Sequence, residues 1–343
     1  MKKRFYFLIL FIVILIFGIL FLNNKNNIKN NYKNGELNVL NWTSYIPDDV
    51  ISDFEKEYNI KVNYGTYSSN EELLAKVSSS APGTYDLIFP SDYMVDLLIQ
   101  KNLLSPLEKN KIKNINNISE IFLNQIYDNE NKYSLPFLLA YTVLIYDTEK
   151  INEEIKSYRD LLNEKYKNNI IILDDERIII GAALLASGSD MNSTNNFDLD
   201  KALAYFNNLK PNLKAFDSDS PKTFLITKET EIGLVWNAEA TLAKAENENL
   251  KIVFPREGFA LSMDNYCLPV GAKNTENAYK FIDFLLRDDI AERIVEEYPY
   301  VSPIETLVSK NETELKEILE NGSYVKNVGA EIKTLDRLWA EFK

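Results

Sequence analysis

The fold class follows from residues 37–65, which read LNVLNWTSYIPDDVISDFEKEYNIKVNYG. Short apolar runs at 37–41 and 60–64 flank a segment at 47–58 whose apolar side chains recur at helical spacing. Pro47 stands near the first turn of this segment, where its missing N–H is tolerated. The stretch therefore predicts a strand, a helix and a second strand, which is the repeating unit of α/β proteins.

The same alternation continues along the rest of the chain. Ser69 and Glu72 have the spacing of a capping box, which marks the start of a helix. Alternating strands and helices favour parallel sheets covered by helices on both faces. Further strands are predicted at 86–90, 142–146, 170–173, 233–236 and 252–254, and further helices at 71–79, 93–101, 177–186, 201–209, 238–246 and 276–287.

The composition describes a folded protein with an acidic surface and little reactive chemistry. The 343 residues suit two lobes of ordinary size, and their net charge is −13. Residues 36–343 alone carry 32 basic and 51 acidic groups, a net charge of −19, which disfavours binding of nucleic acid. There is no His, and the single cysteine, Cys267, lies in an apolar run that predicts a buried thiol. We therefore expect no catalytic residue, no metal and no cofactor.

The N-terminal residues have the pattern of an export segment. Three basic residues at positions 2–4 precede an uncharged apolar stretch that begins at Phe5 and ends at Leu22. Such a stretch is either a secretory signal or an uncleaved anchor, and it is just long enough to cross a bilayer. Because no small-x-small cleavage site follows, we favour an anchor. It would place the body in the periplasmic space or on the outer face of the cytoplasmic membrane, with residues 23–35 as a polar tether.

Polar and aromatic side chains follow four of the predicted strands. In an open α/β sheet, ligands bind beyond the carboxyl ends of the strands, so these positions are candidates for a binding site. They offer rings, hydroxyls and acids but no lysine: Trp42, Thr43, Ser44 and Tyr45; Ser91, Asp92 and Tyr93; Asp174, Asp175 and Glu176; and Trp236 with Glu239.

This set of side chains suits an organic polycation. Ammonium groups need charge-assisted hydrogen bonds from carboxylates, and the methylenes between them need apolar walls. Aromatic faces supply such walls and also attract the cation, by roughly 2 kcal/mol when water is excluded. Simpler structural interpretations exist as well, because Asp92 and Asp175 can cap helices and Trp236 can belong to the core.

Seven motifs can be followed in order from about residue 37 to the C-terminal part of the chain. They are LNWTSYIP at 40–47, YDLIFPSDY at 85–93, LDDER at 173–177, GLVWN at 233–237, MDNY at 263–266, FIDFLLR at 281–287 and YVSP at 300–303. Together they resemble the bacterial spermidine/putrescine-binding proteins, which are the solute receptors of polyamine ABC importers.

The resemblance implies an α/β protein with the two-lobed periplasmic-binding-protein type II fold and two crossovers between the lobes. Residues 36–139 and 263–306 would form the first lobe, and residues 140–262 and 307–343 the second. The lobes would close on putrescine or spermidine, and the closed protein, a monomer, would deliver the ligand to the membrane permease and ATPase of an ABC importer.

The resemblance also implies roles for individual side chains. Asp264 would be the central acid that meets a ligand ammonium, although on local sequence alone it could be a turn residue before a strand. The aromatic box would be Trp42, Tyr45, Tyr93, Trp236 and Tyr300; Ser44 and Ser91 would hydrogen-bond the ligand; and Asp175 and Asp264 would bind its amino groups.

Three positions depart from the family pattern. Ile178 stands where a second acid is common, Ser262 where a ring is usual and Val325 where a polar amide is expected. Glu239 offers a substitute acid, because putrescine-preferring relatives look similar in carrying an acid three residues after the tryptophan. We therefore expect a polyamine site that tilts toward the diamine.

Other interpretations stay open on the residues alone. A receptor of the same fold could bind ferric iron, thiamine or a sugar, although iron receptors would need paired tyrosines and an anion site. A surface enzyme could use Asp175 and Asp264 as its acid pair, as glycosidases do. A sensor or adhesin could bind a polyamine without serving a transporter.

Overall fold

The computed structural model describes residues 32–343. The predicted signal or anchor between Phe5 and Leu22 lies outside the described residues. Among residues 32–343, none of the helices is both long enough and apolar enough to span a bilayer.

The described chain contains eleven strands. In chain order they are β1 (Glu36–Trp42), β2 (Lys61–Tyr67), β3 (Leu87–Ile88), β4 (Leu104–Ser105), β5 (Ser134–Asp147), β6 (Ile170–Ile172), β7 (Leu213–Phe216), β8 (Ile232–Trp236), β9 (Leu250–Val253), β10 (Phe259–Pro269) and β11 (Gly322–Tyr324).

Helices connect most of these strands and cover the sheet. Within residues 32–343 the α-helices are α1 (Asp48–Tyr58), α2 (Asn70–Ser79), α3 (Asp92–Gln100), α4 (Glu176–Ala186), α5 (Asn196–Leu209), α6 (Lys222–Ile226), α7 (Asn237–Glu246), α8 (Thr275–Leu285), α9 (Asp288–Glu297), α10 (Glu305–Lys310), α11 (Glu312–Asn321) and α12 (Ile332–Phe342).

The strands form one mixed sheet whose main path is β2-β1-β3-β10-β5-β8-β6-β7. At one end β1 pairs in parallel with β2 and β3, and at the other end β6 pairs in parallel with β7 and β8. Between these groups stand β10 and β5, which run antiparallel to each other and to their outer neighbours β3 and β8. The molecule therefore has two parallel α/β lobes joined through an antiparallel pair of strands.

The two central strands, β5 and β10, are the crossovers between the lobes. The first half of β5, from Ser134 to Tyr141, pairs with β10, while its second half, from Thr142 to Tyr146, pairs with β8. Every residue of both strands is buried, as expected for strands that are covered on both faces. The chain thus passes from lobe to lobe inside the sheet rather than through exposed linkers.

The first lobe brings together segments that are far apart in the chain. Helix α1 follows Pro47 and ends at Asn59, whose left-handed backbone conformation stops the helix. Its buried side chain Phe54 meets the rings of Phe281 and Phe284 on α8, with ring centroids 4.8 and 5.5 Å apart. Because α8 follows β10, this contact returns the chain to the first lobe.

The C-terminal segment completes the second lobe. Strand β11 pairs with the start of β10, between Phe259 and Leu261. Helix α12 packs against α4 and α5, and its Phe342 stacks on Phe206 with ring centroids 4.0 Å apart. These contacts bury apolar side chains that α4 and α5 present on the face away from the sheet.

The structure confirms the alternation of strands and helices and corrects the sequence prediction at the crossovers. The sheet is mixed rather than parallel throughout, β5 begins at Ser134 instead of 142, and no strand was expected at β10. Pro136 argued against a strand in the first half of β5, and polar residues such as Asp264 interrupted the apolar run of β10. The predicted strand at 86–90 is reduced to Leu87–Ile88.

A buried carboxylate, Asp86, ties β1 to the segment that follows β10. It accepts hydrogen bonds from the backbone and side chain of Asn38 at 2.9 and 2.8 Å. It also accepts bonds from the backbone of Lys273 and from the backbone and side chain of Asn274, at 2.9, 2.9 and 3.0 Å. Burial alone would raise the pKa of Asp86, but the hydrogen bonds from Asn274 and Asn38 outweigh it and lower the pKa.

We expect Asp86→Ala to reduce the free energy of unfolding by about 3 kcal/mol, because it leaves several buried donors without an acceptor. Since the pKa of Asp86 is lower in the folded state, its contribution is present above about pH 4 and is lost as the pH falls through the folded-state value. Urea unfolding at several pH values measures both effects. The matched control Asp200→Ala, at an exposed site on α5, should change stability by less than about 0.5 kcal/mol. Equal losses for the two variants would contradict this account of Asp86.

Candidate ligand-binding site

A cavity lies between the two lobes, where β1, β6 and β8 end. All ten residues expected to bind a ligand line this cavity. They are Trp42, Ser44, Tyr45, Ser91, Tyr93, Asp175, Trp236, Glu239, Asp264 and Tyr300. Their placement around one cavity is an observation, while their part in holding a ligand stays a prediction.

Asp264 lies on the crossover strand β10 and is 2% exposed. The register between β10 and β5 shifts between Asp264 and Asn265, and such irregularities commonly redirect a side chain. The carboxylate accepts hydrogen bonds from the hydroxyl of Tyr45 at 2.8 Å and from the hydroxyl of Ser91 at 2.7 Å. The indole N–H of Trp42 lies beside the same carboxylate but is not aligned for a hydrogen bond.

Burial dominates the electrostatics of Asp264. It raises the pKa of Asp264 to about 7, although the hydrogen bonds from Ser91 and Tyr45 favour the ionised form. The negative charge of Asp175 adds to the rise. A carboxylate whose ionisation is opposed by burial gains strongly from a cation placed next to it. The site around Asp264 is therefore built for a positively charged group.

Asp175 both caps a helix and lines the cavity. It is the N-cap residue of α4 and accepts a hydrogen bond from the backbone N–H of Ile178 at 3.0 Å. Burial, together with the nearby charge of Glu71, raises the pKa of Asp175 to about 7. Ile178 also lines the cavity, so the position where a second acid was expected supplies an apolar wall instead.

Aromatic rings surround the Asp264 carboxylate on the side of the first lobe. The ring of Tyr45 lies 4.8 Å from the ring of Tyr300 and 6.2 Å from that of Trp42, measured between centroids. Tyr300 is held in place because the next residue, Val301, exchanges backbone hydrogen bonds with Leu139 at 2.8 and 3.0 Å. Tyr300 thereby contributes a ring to the same cavity as Trp42, the last residue of β1, although the two lie far apart in the chain.

Glu239 differs from Asp175 and Asp264 because it already has a cation. Its Oε1 atom lies 2.7 Å from Nζ of Lys222, the first residue of α6. Burial raises the pKa of Glu239, and the ammonium of Lys222 opposes that rise. Lys222 does not directly follow any of the four predicted strands and lies in none of the motifs, so the sequence analysis did not identify it as a partner of Glu239.

Several other residues of the cavity were missed by the sequence analysis. They are Ser68, Asn70, Ala140, Ser218 and Asp219. Ser68 and Asn70 follow β2, which was predicted, so the rule about strand ends would have found them if it had been applied to that strand. Ser218 and Asp219 follow β7, which was not among the predicted strands. Ala140 and Ser262 face each other on the crossovers, one of which was not expected.

Asp92 has the local structural role that was expected of it and does not line the cavity. It is buried, and its carboxylate accepts a hydrogen bond from the backbone N–H of Tyr93 at 2.8 Å. Burial raises the pKa of Asp92 well above its usual value.

Three buried polar atoms on the cavity wall have no hydrogen-bond partner among the described residues. They are Nε1 of Trp42, Oγ of Ser218 and Oε2 of Glu239. Buried polar groups are nearly always paired, so a donor, a hydroxyl and an acceptor left alone in one cavity indicate a polar ligand. No cluster of acids and cysteines among residues 32–343 is placed to hold a metal ion.

The lobes touch each other beside the cavity. The hydroxyl of Ser68 in the first lobe donates to Asp219 in the second at 3.0 Å, and the side chain of Asn327 donates to Asp96 at 3.0 Å. The guanidinium of Arg177 lies over the ring of Tyr93, 5.8 Å from its centroid. These contacts describe a conformation in which the cleft is closed.

Comparisons with known proteins agree with this architecture. Residues 49–320 match the family model of the bacterial extracellular solute-binding proteins. The spermidine/putrescine-binding periplasmic protein of Salmonella typhimurium is 36% identical over 271 residues, which cover 79% of this chain and 78% of that protein. The protein of the same name from Escherichia coli is 32% identical over 320 residues, which cover 90% and 92% of the two chains.

A solved structure gives the same result in three dimensions. A protein of Listeria monocytogenes that is described as a spermidine/putrescine ABC transporter superposes with a TM-score of 0.84 at 31% sequence identity. The superposition covers 90% of this chain and 98% of that protein, so both lobes are included.

We expect Ser91→Ala to raise the pKa of Asp264 further, by about 1, because it removes a hydrogen bond that stabilises the carboxylate. Tyr45→Phe should have the same effect. The carboxyl carbon of Asp264, followed by NMR during a pH titration, reports the change. Ser262→Ala removes a hydroxyl from the same cavity that forms no described hydrogen bond with Asp264, and it serves as the control. An unchanged pKa in both Ser91→Ala and Tyr45→Phe would contradict the proposed balance of burial and hydrogen bonds.

Proposed function

We propose that this chain, which belongs to the family of bacterial extracellular solute-binding proteins, captures a short polyamine between its two lobes and delivers it to an ABC importer. The observation that carries this proposal is the buried Asp264 carboxylate, held by two hydroxyls among aromatic rings. As a member of a solute-binding family the chain is a binding protein and not an enzyme.

The chemistry of a polyamine fits the walls of the cavity. A carboxylate has about four lone-pair positions, and hydroxyls occupy two of those of Asp264, so an ammonium can take the others. The rings of Trp42, Tyr45, Tyr93, Trp236 and Tyr300 would cover the methylenes and attract the charge, and Ser44 and Ser91 would supply hydrogen bonds. A second ammonium would meet Asp175, which lines the same cavity.

The lobe boundaries of the proposal follow the crossovers. We place residues 36–139 and 263–306 in the first lobe and residues 140–262 and 307–343 in the second. The packing of α8 on α1, and of β11 on the start of β10, supports this division. A ligand that bridges the lobes favours the closed form by its contacts on both sides, and that closed form would dock on the permease and its ATPase as a monomer.

The protein works outside the cytoplasm, as its family name states. We propose that the apolar stretch from Phe5 to Leu22 keeps it on the outer face of the cytoplasmic membrane. A tethered receptor stays beside its permease, which raises its effective concentration there.

We expect the purified full-length chain to bind putrescine, cadaverine or spermidine with micromolar or better affinity in isothermal titration calorimetry, and not to bind thiamine or maltose. Asp264→Asn should weaken binding by about a hundredfold or more, because it removes a buried countercharge. Asp92→Asn is the matched control, since Asp92 is a buried acid outside the cavity, and its effect should stay below about threefold. No binding of any polyamine, or equal effects of the two variants, would refute the proposed site.

Binding should weaken as the pH falls below 7. The ligand requires ionised Asp264 and Asp175, and burial holds the pKa of each near 7 in the free protein, so acidification protonates the groups that pair with the ammonium ions. We expect the affinity at pH 5.5 to be at least about tenfold lower than at pH 8. Calorimetry in two buffers of different ionisation enthalpy should detect proton release on binding. An affinity that does not change between these pH values would show that the carboxylates are already ionised.

A further inference from the structure

The ion pair with Lys222 distinguishes Glu239 from Asp175 and Asp264 among the carboxylates of the cavity. The partners of Asp264 are the hydroxyls of Ser91 and Tyr45. The hydrogen-bond donor to Asp175 is a backbone N–H. Glu239 alone among the three pairs with an ammonium, and it is 5% exposed. Glu239 is therefore part of the cavity wall, while Lys222, whose side chain is 25% exposed, pairs with it without lining the cavity.

The ion pair changes the charge that the cavity presents to a ligand. When both are ionised, Asp264 and Asp175 contribute two negative charges, while Glu239 and Lys222 together contribute none. Asp219 stands at the exposed mouth, where water and salt screen its charge. The wall thus offers two carboxylates that no ion pair within residues 32–343 neutralises.

The positive charge of Arg177 acts on Asp175 and opposes the rise in its pKa, so it compensates that carboxylate in part. The guanidinium donates to the backbone carbonyl of Lys326 at 2.9 Å and lies over the ring of Tyr93, which lines the cavity. Glu71 and Glu176 act on it as well as Asp175. Among the described residues Arg177 forms no ion pair within 4 Å of Asp175.

We propose that Lys222 sets the charge of the ligand that the cavity accepts, so that a diamine binds in preference to a triamine. This inference rests on the proposed polyamine-binding function and adds a residue that determines specificity. Lys222 satisfies one oxygen of Glu239 from within the protein, and a third ligand ammonium that reached Glu239 would meet a neutral pair.

The physical reason is the cost of removing an ammonium from water. An ammonium that enters a buried wall loses its hydration, and only an uncompensated carboxylate offsets that loss. The Oε2 atom of Glu239 has no partner among the described residues, so it still accepts one hydrogen bond from a ligand, but the adjacent Lys222 repels a full positive charge. A dication meets two countercharges, whereas a trication leaves one ammonium without one.

The test compares the affinities of putrescine and spermidine for Lys222→Met and for the wild-type chain. Lys222→Met frees Glu239, and we expect the ratio of spermidine affinity to putrescine affinity to rise by about tenfold or more. Lys244→Met, which removes an exposed lysine from the same helix as Glu239, is the control for general charge and should change the ratio by less than about twofold.

The double variant Lys222→Met/Glu239→Gln returns the wall to two negative charges, and its ratio should fall back to within about threefold of wild type. Lys222→Gln provides a second substitution if Lys222→Met does not fold, as judged by circular dichroism. An unchanged ratio, an equal gain for both ligands, or a wild-type preference for spermidine would overturn the role of Lys222 while leaving polyamine binding intact. If the wild-type chain binds neither ligand, the proposed function itself fails.

Discussion

A carboxylate that is buried without a cation is the constraint on which the rest of this structure depends. Burial opposes the ionisation of Asp264, and hydroxyls of Tyr45 and Ser91 offset only part of that cost. Asp175 lies in the same situation at a helix N-terminus. Desolvation opposes the ionisation of both acids, and an organic cation bound in the cleft offsets that cost.

The crossovers explain how such a site can be both buried and reachable. Because β5 and β10 run through the centre of the sheet, Asp264 can sit in the floor between the lobes while the rings and Asp175 come from the two sides. The lobes meet through a few polar contacts such as Ser68 with Asp219, which are weak enough to open. A ligand that touches both lobes adds the missing free energy of closure.

Three acids of the cavity show that residue type alone does not define a binding role. Asp264 and Asp175 lack an internal cation, whereas Glu239 is paired with Lys222. Glu239, the acid expected to substitute for the one missing at Ile178, can therefore pair with a ligand ammonium only if Lys222 does not occupy it. The ligand charge that the site prefers depends on how these acids are paired more than on the number of acids in the sequence.

Strand ends and ordered motifs were sufficient to predict ten of the residues that line the cavity, because both depend on local spacing that folding preserves. The central strand β10 could not be predicted in this way, since Ser262, Asp264 and Asn265 interrupt its apolar run for the sake of the site. Ser68 was missed because the rule about strand ends was not applied to β2, and Asp219 was missed because β7 was not predicted as a strand.

The sequence by itself determined the α/β class, the acidic and aromatic character of the cleft and the positions that line it. Only the tertiary structure decided which carboxylates are free, because the ion pair of Lys222 with Glu239 joins two helices across the intervening strand β8. It also decided the raised pKa of Asp264, which arises from burial among β1, α3 and β10. Local patterns specify which side chains a segment carries, whereas desolvation and pairing arise only when distant segments exclude water together.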